Sequence, residues 1–235
     1  MTGDYRKALH QNIDAIANAV VRLAAMVEDA LARATAALLA GDLEAAQLLI
    51  ENDDELDALS IDIEDHCFRI LALESPLAVD LRTVVASMRI NTDVERAGDL
   101  MANVAKGTRR LQGVVLPPRL RGLLQQMSDE AARLLRLAVD AYRQRDGTLG
   151  GTLDRADDVL DVLHAEFVQG IFETHNAGEL TLQAAVQLAL IARFYERVGD
   201  HAVNIGVRVQ FIADGQLPEH IGAKRARERA QRAAS

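Results

Sequence analysis

The sequence predicts an all-α protein made of two tandem, pseudo-symmetric, antiparallel three-helix bundles, with six helices in total. Three observations lead to this fold class. Apolar residues recur at helical spacing through almost the whole chain, turn-forming residues divide it into six segments, and an acidic motif near residue 95 is repeated near residue 196. A chain of 235 residues is long enough to bury the core that such a fold needs.

The helical periodicity is clearest in the first forty residues. Leu9, Ile13 and Ile16 begin an apolar series that continues at intervals of three or four residues to Leu38. The alternating β-branched runs that are typical of strands are missing. Helices are therefore expected throughout.

Clusters of turn-forming residues mark the helix boundaries, at 41–42, 75–76, 113–118, 146–151 and 176–178. We expect Asp42 and Ser75 to be N-caps, the latter with Pro76 at the first helical position. The six predicted helices span 4–40, 42–74, 76–112, 118–146, 152–175 and 179–214. The predicted units are a first repeat at 1–113, a second at 118–215 and a disordered basic tail at 216–235.

Composition narrows the functional classes. The net charge of -9 argues against a nucleic-acid partner, because phosphate backbones are bound by lysine and arginine. The beginning of the chain lacks the features of a signal peptide, and no apolar run is long enough to span a bilayer. The single cysteine, Cys67, excludes an internal disulfide and is expected in the core. These features predict a soluble, cytoplasmic protein.

The internal repeat is carried by "DVERAGDLMANVA" and "FYERVGDHAVNIG". An offset of 101 residues aligns the two segments and gives five identities in nine positions. The matched pairs are Glu95 with Glu196, Arg96 with Arg197, Gly98 with Gly199, Asp99 with Asp200 and Asn103 with Asn204. Such agreement indicates a duplicated unit.

Each copy places two carboxylates at i,i+4 spacing, one turn apart on one helix face. A second acid pair precedes each motif, and an offset of 104 aligns Asp53 with Asp157 and Asp57 with Asp161. An antiparallel neighbouring helix would bring the two pairs of each repeat together. The sequence then predicts four carboxylates in each bundle.

Clustered oxygen ligands without thiolates are typical of sites for hard cations. We therefore expect metal ions, with iron, manganese, magnesium, calcium and zinc as candidates. A glycine beside each aspartate suggests a close approach by an ion or a neighbouring helix. Asn103, Asn204 and His201 are candidates for supporting the carboxylates, His201 from a surface or outer position.

A plainer interpretation stays open for the acids. They would occupy solvated helix faces and pair with Arg96, Arg193 or Arg197. Asp161 and His164 form a DxxH pattern, but the ExxH motif of carboxylate-bridged di-iron bundles is absent from the sequence, so a redox enzyme is not favoured.

At "YERVGDHAVNIG", "DVERAGDLMANVAK" and "PLAVDLR" the sequence resembles the PhoU family of phosphate-transport accessory regulators. The resemblance implies two similar three-helix bundles, a homodimer and a metal cluster on each bundle. The ligands it implies are Asp53, Asp57, Glu95 and Asp99 in the first repeat, and Asp157, Asp161, Glu196 and Asp200 in the second.

The resemblance also implies a function without catalysis. Members of the family repress the phosphate regulon by linking the ATPase subunit of the phosphate ABC transporter to a phosphate-sensing histidine kinase, so they lie at the membrane only through partners. A metal-independent helical scaffold and a ferritin-like redox protein are the alternatives.

Overall fold

A computed structural model describes residues 2–215 of the chain, with side chains from Arg6 onward. Every regular element among these residues is a helix, and none is long and apolar enough to cross a membrane. The helices are α1 (Thr2–Ala40), α2 (Leu43–Glu51), α3 (Asp53–Leu73), α4 (Val79–Arg110), α5 (Pro118–Gln144), α6 (Gly147–Gly150), α7 (Leu153–Ala156), α8 (Asp158–Asn176) and α9 (Leu182–Asp214). The basic tail predicted at 216–235 lies outside the described residues.

The predicted fold class is confirmed, but two of the six predicted helices are interrupted. The second predicted helix is divided at Asn52 into α2 and α3, and the fifth is divided at Asp157 into α7 and α8. The preceding turn at 146–151 also contains the short helix α6. Asparagine and aspartate disfavour helix interiors because their side chains compete for backbone hydrogen bonds. The first interruption lies next to the candidate ligand Asp53, and the second lies at the candidate ligand Asp157.

The two repeats begin their second segments with the same cap. Asp42 accepts hydrogen bonds from the Glu44 and Ala45 amides at 3.1 and 2.9 Å, as predicted. The equivalent Asp146 caps α6 through two amides in the same way. The residue before each aspartate has a positive φ, 66° at Gly41 and 54° at Arg145. The duplication thus extends to the turns, where Arg145 adopts a conformation that glycine holds more easily.

Two predictions about α4 are wrong. Ser75 does not cap a helix: Ser75 and Ala78 have φ values of 42° and 50°, and α4 begins only at Val79. Positive φ at both ends of this segment prevents a continuous helical path from Pro76. Pro76 is likewise not a first helical residue, and the buried face of α4 begins with Thr83 and Val84.

The two bundles share one hydrophobic core. Helices α4 and α9, one from each repeat, make the most extensive contact between helices, and α1 packs against α5. A buried hydroxyl cluster also joins the repeats, since the Thr35 hydroxyl lies 2.8 Å from Ser128 Oγ and 2.7 Å from Tyr195 Oη. The helices that carry the repeated acidic motifs therefore lie at the centre of the molecule.

Candidate metal centres in the two repeats

Each candidate acid pair has one half-buried and one exposed member. On α4, Glu95 is half-buried and Asp99 is exposed, and on α9 the same holds for Glu196 and Asp200. The pairs contributed by the preceding segments repeat the pattern: Asp53 and Asp157 are half-buried, and Asp57 and Asp161 are exposed. One acid of each pair is therefore partly covered by the protein, while the other is open to solvent.

In the first repeat the carboxylates converge. One oxygen each from Asp57, Glu95 and Asp99 lies within 4.8 Å of the other two. Asp53 is outside this trio of oxygens but is electrostatically coupled to it, because the charges of Asp99 and Asp57 act on its carboxyl. The predicted meeting of α3 with α4 therefore brings three of the four acids together, with Asp53 beside them.

Burial and mutual repulsion act on the inner acids of this cluster. Burial raises the pKa of Glu95, and the charges of Asp99 and Asp57 raise it further. Burial likewise raises the pKa of Asp53, against which Lys106 acts in the opposite direction. Within residues 6–215, no lysine or arginine forms a salt bridge with any of the four acids. A cation would relieve this repulsion, and carboxylate oxygens are the ligands of hard cations.

Gly98 explains part of the helix packing here. A Cβ at Gly98 would lie 3.3 Å from Leu56 Cδ1, tighter than an ordinary contact. The glycine therefore accommodates the neighbouring helix α3, which was one of the two expectations for it. Beside this contact lies a cavity of about 400 Å³ that Asp53 lines, together with Asn52 and Gly98.

In the second repeat an arginine lies among the acids. Arg193, one turn before Glu196 on α9, forms an ion pair with Glu196, and its Nη2 lies 3.5 Å from Asp200 Oδ2. Its charge also lowers the pKa of His164 on α8, after the larger effect of burial. The plainer interpretation named Arg193 as a partner for these acids, and in this repeat the pairing is present.

The inner acids of the second repeat still have unsatisfied oxygens. Asp157 Oδ1 and Glu196 Oε2 are buried and have no hydrogen-bond partner. Burial, followed by the charges of Asp161 and Asp200, raises the pKa of Asp157 to about 6. A buried acceptor without a donor is costly, so both oxygens are suited to receive a cation or a proton.

Gly199 is required by the position of Asp157. A Cβ at residue 199 would lie 2.2 Å from Asp157 Oδ1 and 2.8 Å from Leu160 Cδ2. The aspartate carboxylate thus lies directly against the backbone of α9. This contact is much closer than the one at Gly98, although the two glycines are equivalent in the repeat.

A cavity of about 370 Å³ opens beside the second set of acids. It is lined by Asp157 and Asp200 and also by Asp154, which sequence analysis did not single out. Asp154 is exposed at the start of α7, and its charge contributes to the raised pKa of Asp157. Its only signal in the sequence was its position one turn before Asp157.

The three supporting candidates differ in their positions. Asn204 is exposed and lines the second cavity, and Asn103 is half-buried in a narrow cleft between α4 and α9. Of the surface or outer position expected for His201, the surface alternative is excluded, because the residue is buried and its Nδ1 lies 3.0 Å from Asp93 Oδ1 on α4. His201 therefore links the central helices of the two repeats while also lining the second cavity.

The donor sets fit a hard cation in both repeats. The first repeat offers three converging carboxylates, none of which forms a salt bridge among residues 6–215. The second offers two buried, partnerless oxygens next to an arginine that already neutralises part of the charge.

Two segments of the chain, residues 20–108 and 124–209, match the family called PhoU domain. The phosphate-specific transport system accessory protein PhoU homolog 1 of Mycobacterium tuberculosis is 33% identical over 214 residues, which cover 91% of this chain and 96% of that protein. The PhoU homolog of Zymomonas mobilis is 32% identical over 219 residues, covering 93% of this chain and 92% of the relative.

Solved structures show the same fold. The phosphate transport system regulatory protein PhoU from Streptococcus pneumoniae superimposes with a TM-score of 0.80 at 26% identity, covering 91% of this chain and 98% of that structure. PhoU from Pseudomonas aeruginosa gives a TM-score of 0.81 at 24% identity over 88% of this chain and 99% of that chain. The likeness extends over both repeats.

Proposed function

Because this chain belongs to the PhoU family, we propose that it is a regulator of phosphate homeostasis that restrains phosphate uptake and the phosphate-starvation response. The observation that carries this proposal is similarity over nearly the full length of proteins named as accessory to phosphate-specific transport. Such similarity includes both acidic motifs, which lie within the two matched regions.

In this role the protein acts without catalysis, as an adaptor in the cytoplasm. It links the ATPase subunit of the phosphate ABC transporter to a phosphate-sensing histidine kinase and reaches the membrane through these partners. The relatives' names, accessory and regulatory protein, support a function of this kind. A homodimer is part of the proposal, and light scattering after size-exclusion chromatography would test it by giving twice the mass of 25.6 kDa.

We further propose that metal ions hold the acid sets together. The ligands would be Asp53, Asp57, Glu95 and Asp99 in the first repeat, and Asp157, Asp161, Glu196 and Asp200 in the second. The 4.8 Å cluster in the first repeat supports this most directly. Bound cations would neutralise acids that otherwise repel each other and would fix α3 and α8 against the central helices α4 and α9.

The regulatory role is tested by deleting the gene and measuring a phosphate-starvation reporter in phosphate-rich medium. We expect constitutive reporter expression, which the native gene restores to its repressed level. Repression that persists in the deletion strain would contradict the proposal.

The adaptor role is tested by co-purification of the protein with the transporter ATPase subunit and, separately, with the cytoplasmic part of the kinase. Glu95→Gln serves as the metal-site variant, and Glu130→Gln, an acid outside both sets, serves as its matched control. We expect both partners to be retained by the parent and by Glu130→Gln. Failure of the parent to retain either partner would remove the adaptor role but leave the regulatory role to the reporter assay.

A metal-independent scaffold is the second candidate, and the Arg193 ion pairs favour it for the second repeat. This candidate predicts that partner binding is the same with and without a chelator. Loss of partner binding in chelator, restored by adding Mn²⁺, would instead support the metal-dependent adaptor.

A further inference from the structure

A basic groove lies at the end of α4, after the acidic motif of the first repeat along the helix. Lys106, Arg109 and Arg110 line one side of it, and the start of α2 lines the other with Glu44 and Gln47. Leu43 and Gln112 complete the lining, and the cavity measures about 690 Å³. We call these residues the basic groove.

The three cations of the groove are exposed and close together. They occupy positions i, i+3 and i+4, which places their side chains on one face of the helix. Arg109 Nη1 donates a hydrogen bond of 2.7 Å to Gln47 Oε1, and in the part of the chain that the structure describes none of the three forms a salt bridge with a carboxylate. Against one acid in the groove, Glu44, they leave an excess of two positive charges on a chain whose net charge is -9.

The simplest explanation is that these cations stabilise the end of α4. Positive side chains in a last helical turn interact favourably with the helix dipole. The second repeat argues against this as a sufficient reason, because the equivalent positions on α9 are Val207, Gln210 and Phe211. Helix α9 has no basic residue in its last turn and is nonetheless 33 residues long. The cluster is therefore present in one repeat only.

We propose that the basic groove binds a phosphate-bearing anion through Lys106, Arg109 and Arg110. Guanidinium groups match phosphate oxygens with paired hydrogen bonds, and the ammonium group adds a point charge. Gln47 holds Arg109 at the rim, which reduces the entropy that this side chain loses on binding. None of the eight candidate metal ligands lines the groove, and the proposal does not depend on the regulatory role.

Acidic side chains in and near the groove would weaken the binding of an anion. Lys106 also acts on Asp53, since its charge lowers the pKa of that carboxyl. Glu44 in the lining opposes an anion, and the charge of Asp53 acts in the same direction through Lys106. The volume is within the range of small-molecule sites and larger than one phosphate group needs, so both free orthophosphate and a phosphorylated organic molecule are possible sources.

The test is isothermal titration calorimetry of the full chain with orthophosphate and, separately, with ATP. EDTA is present so that no metal ion carries the phosphate, and ionic strength is matched with sodium chloride. Arg110→Gln should weaken binding about tenfold, the effect of one lost charged hydrogen-bond donor. Arg143→Gln is the matched control, because Arg143 is also an exposed arginine in a last helical turn, on α5.

A gain of affinity provides the second variant. Glu44→Gln removes the one acid among the described residues that line the groove and should tighten binding about threefold, a result that misfolding cannot produce. Three outcomes would overturn the proposal. The parent and Arg110→Gln could bind with equal affinity, Arg110→Gln and Arg143→Gln could lose equal affinity, or neither probe could bind. ATP binding at least tenfold tighter than orthophosphate would identify an organic phosphate as the source, and similar affinities would identify free phosphate.

Discussion

In the first repeat, three acids converge and none of them forms a salt bridge with an arginine or lysine that the structure describes, whereas in the second repeat Arg193 contacts two of the acids. The difference comes from one position. Applying the offset of 101, the residue equivalent to Arg193 is Thr92, whose hydroxyl donates to the Met88 carbonyl of its own helix. Two sites with the same acids thus differ in how their charge is neutralised.

This comparison teaches that a repeated motif does not guarantee a repeated site. Lys106 and Arg96 act on single acids of the first set only through their charge, whereas in the second set Arg193 forms ion pairs with two of the acids. We therefore expect the first repeat to bind a metal ion more tightly than the second.

The largest effect is expected at Glu95. Replacing Glu95 with glutamine removes one of three converging ligands, and we expect the affinity of the tighter site for Mn²⁺ to fall about a hundredfold. Glu196→Gln should leave this tighter site unchanged. Calorimetric titration of chelator-treated protein, supported by metal analysis with mass spectrometry, measures both. Equal losses at the tighter site in the two variants would show that the repeats do not differ in the way described.

The two glycines should also respond differently. Gly199→Ala forces Asp157 and Leu160 to move, which we expect to cost about 1–3 kcal/mol of unfolding free energy. Gly98→Ala meets only Leu56 at 3.3 Å, and alanine is the better helix former, so its effect should stay within about 1 kcal/mol of zero. Thermal unfolding in EDTA measures both. A larger loss for Gly98→Ala would contradict the packing difference.

Exchanging Arg193 and Thr92 between the repeats should exchange their relative affinities for a metal ion. Arg193→Thr removes the internal counter-ion, and we expect the second repeat to bind Mn²⁺ about tenfold more tightly. The reciprocal change, Thr92→Arg, should weaken the first repeat by a similar factor. Calorimetry on both variants, with melting temperatures to confirm folding, tests the exchange. If neither affinity moves, Arg193 is not what separates the two sites.

The sequence predicted the features that depend on local patterns and missed those that depend on contacts between distant residues. Helix periodicity, the cap at Asp42 and the duplicated acids are local patterns, and all were readable. The interruption at Asn52 has a local signal in the run of asparagine and aspartate. This run lacks the glycine or proline that usually marks the end of a helix, so the sequence predicted one continuous helix. The contact of Arg193 with two acids and the burial of His201 against Asp93 depend on side-chain direction and on packing between α4 and α9. Neither follows from spacing alone.

The smallest expected effect concerns pH. The pKa of Asp157 rises from 3.8 to about 6 in the folded protein, so between these values the folded state holds a proton that the unfolded state has released. The contribution of Asp157 to stability is therefore greatest below pH 3.8 and decreases as the pH rises to 6. Asp157→Asn should stabilise the metal-free protein more at pH 7 than at pH 4, as measured by thermal unfolding in EDTA. Asp158→Asn, at the exposed neighbouring acid, controls for the loss of one negative charge.

The corresponding change in the first repeat, Asp53→Asn, should have a smaller pH dependence. Lys106 opposes the rise in the pKa of Asp53, and the residue equivalent to Lys106 in the second repeat is Val207. Equal pH dependence for Asp53→Asn and Asp157→Asn would mean that Lys106 does not distinguish the two repeats.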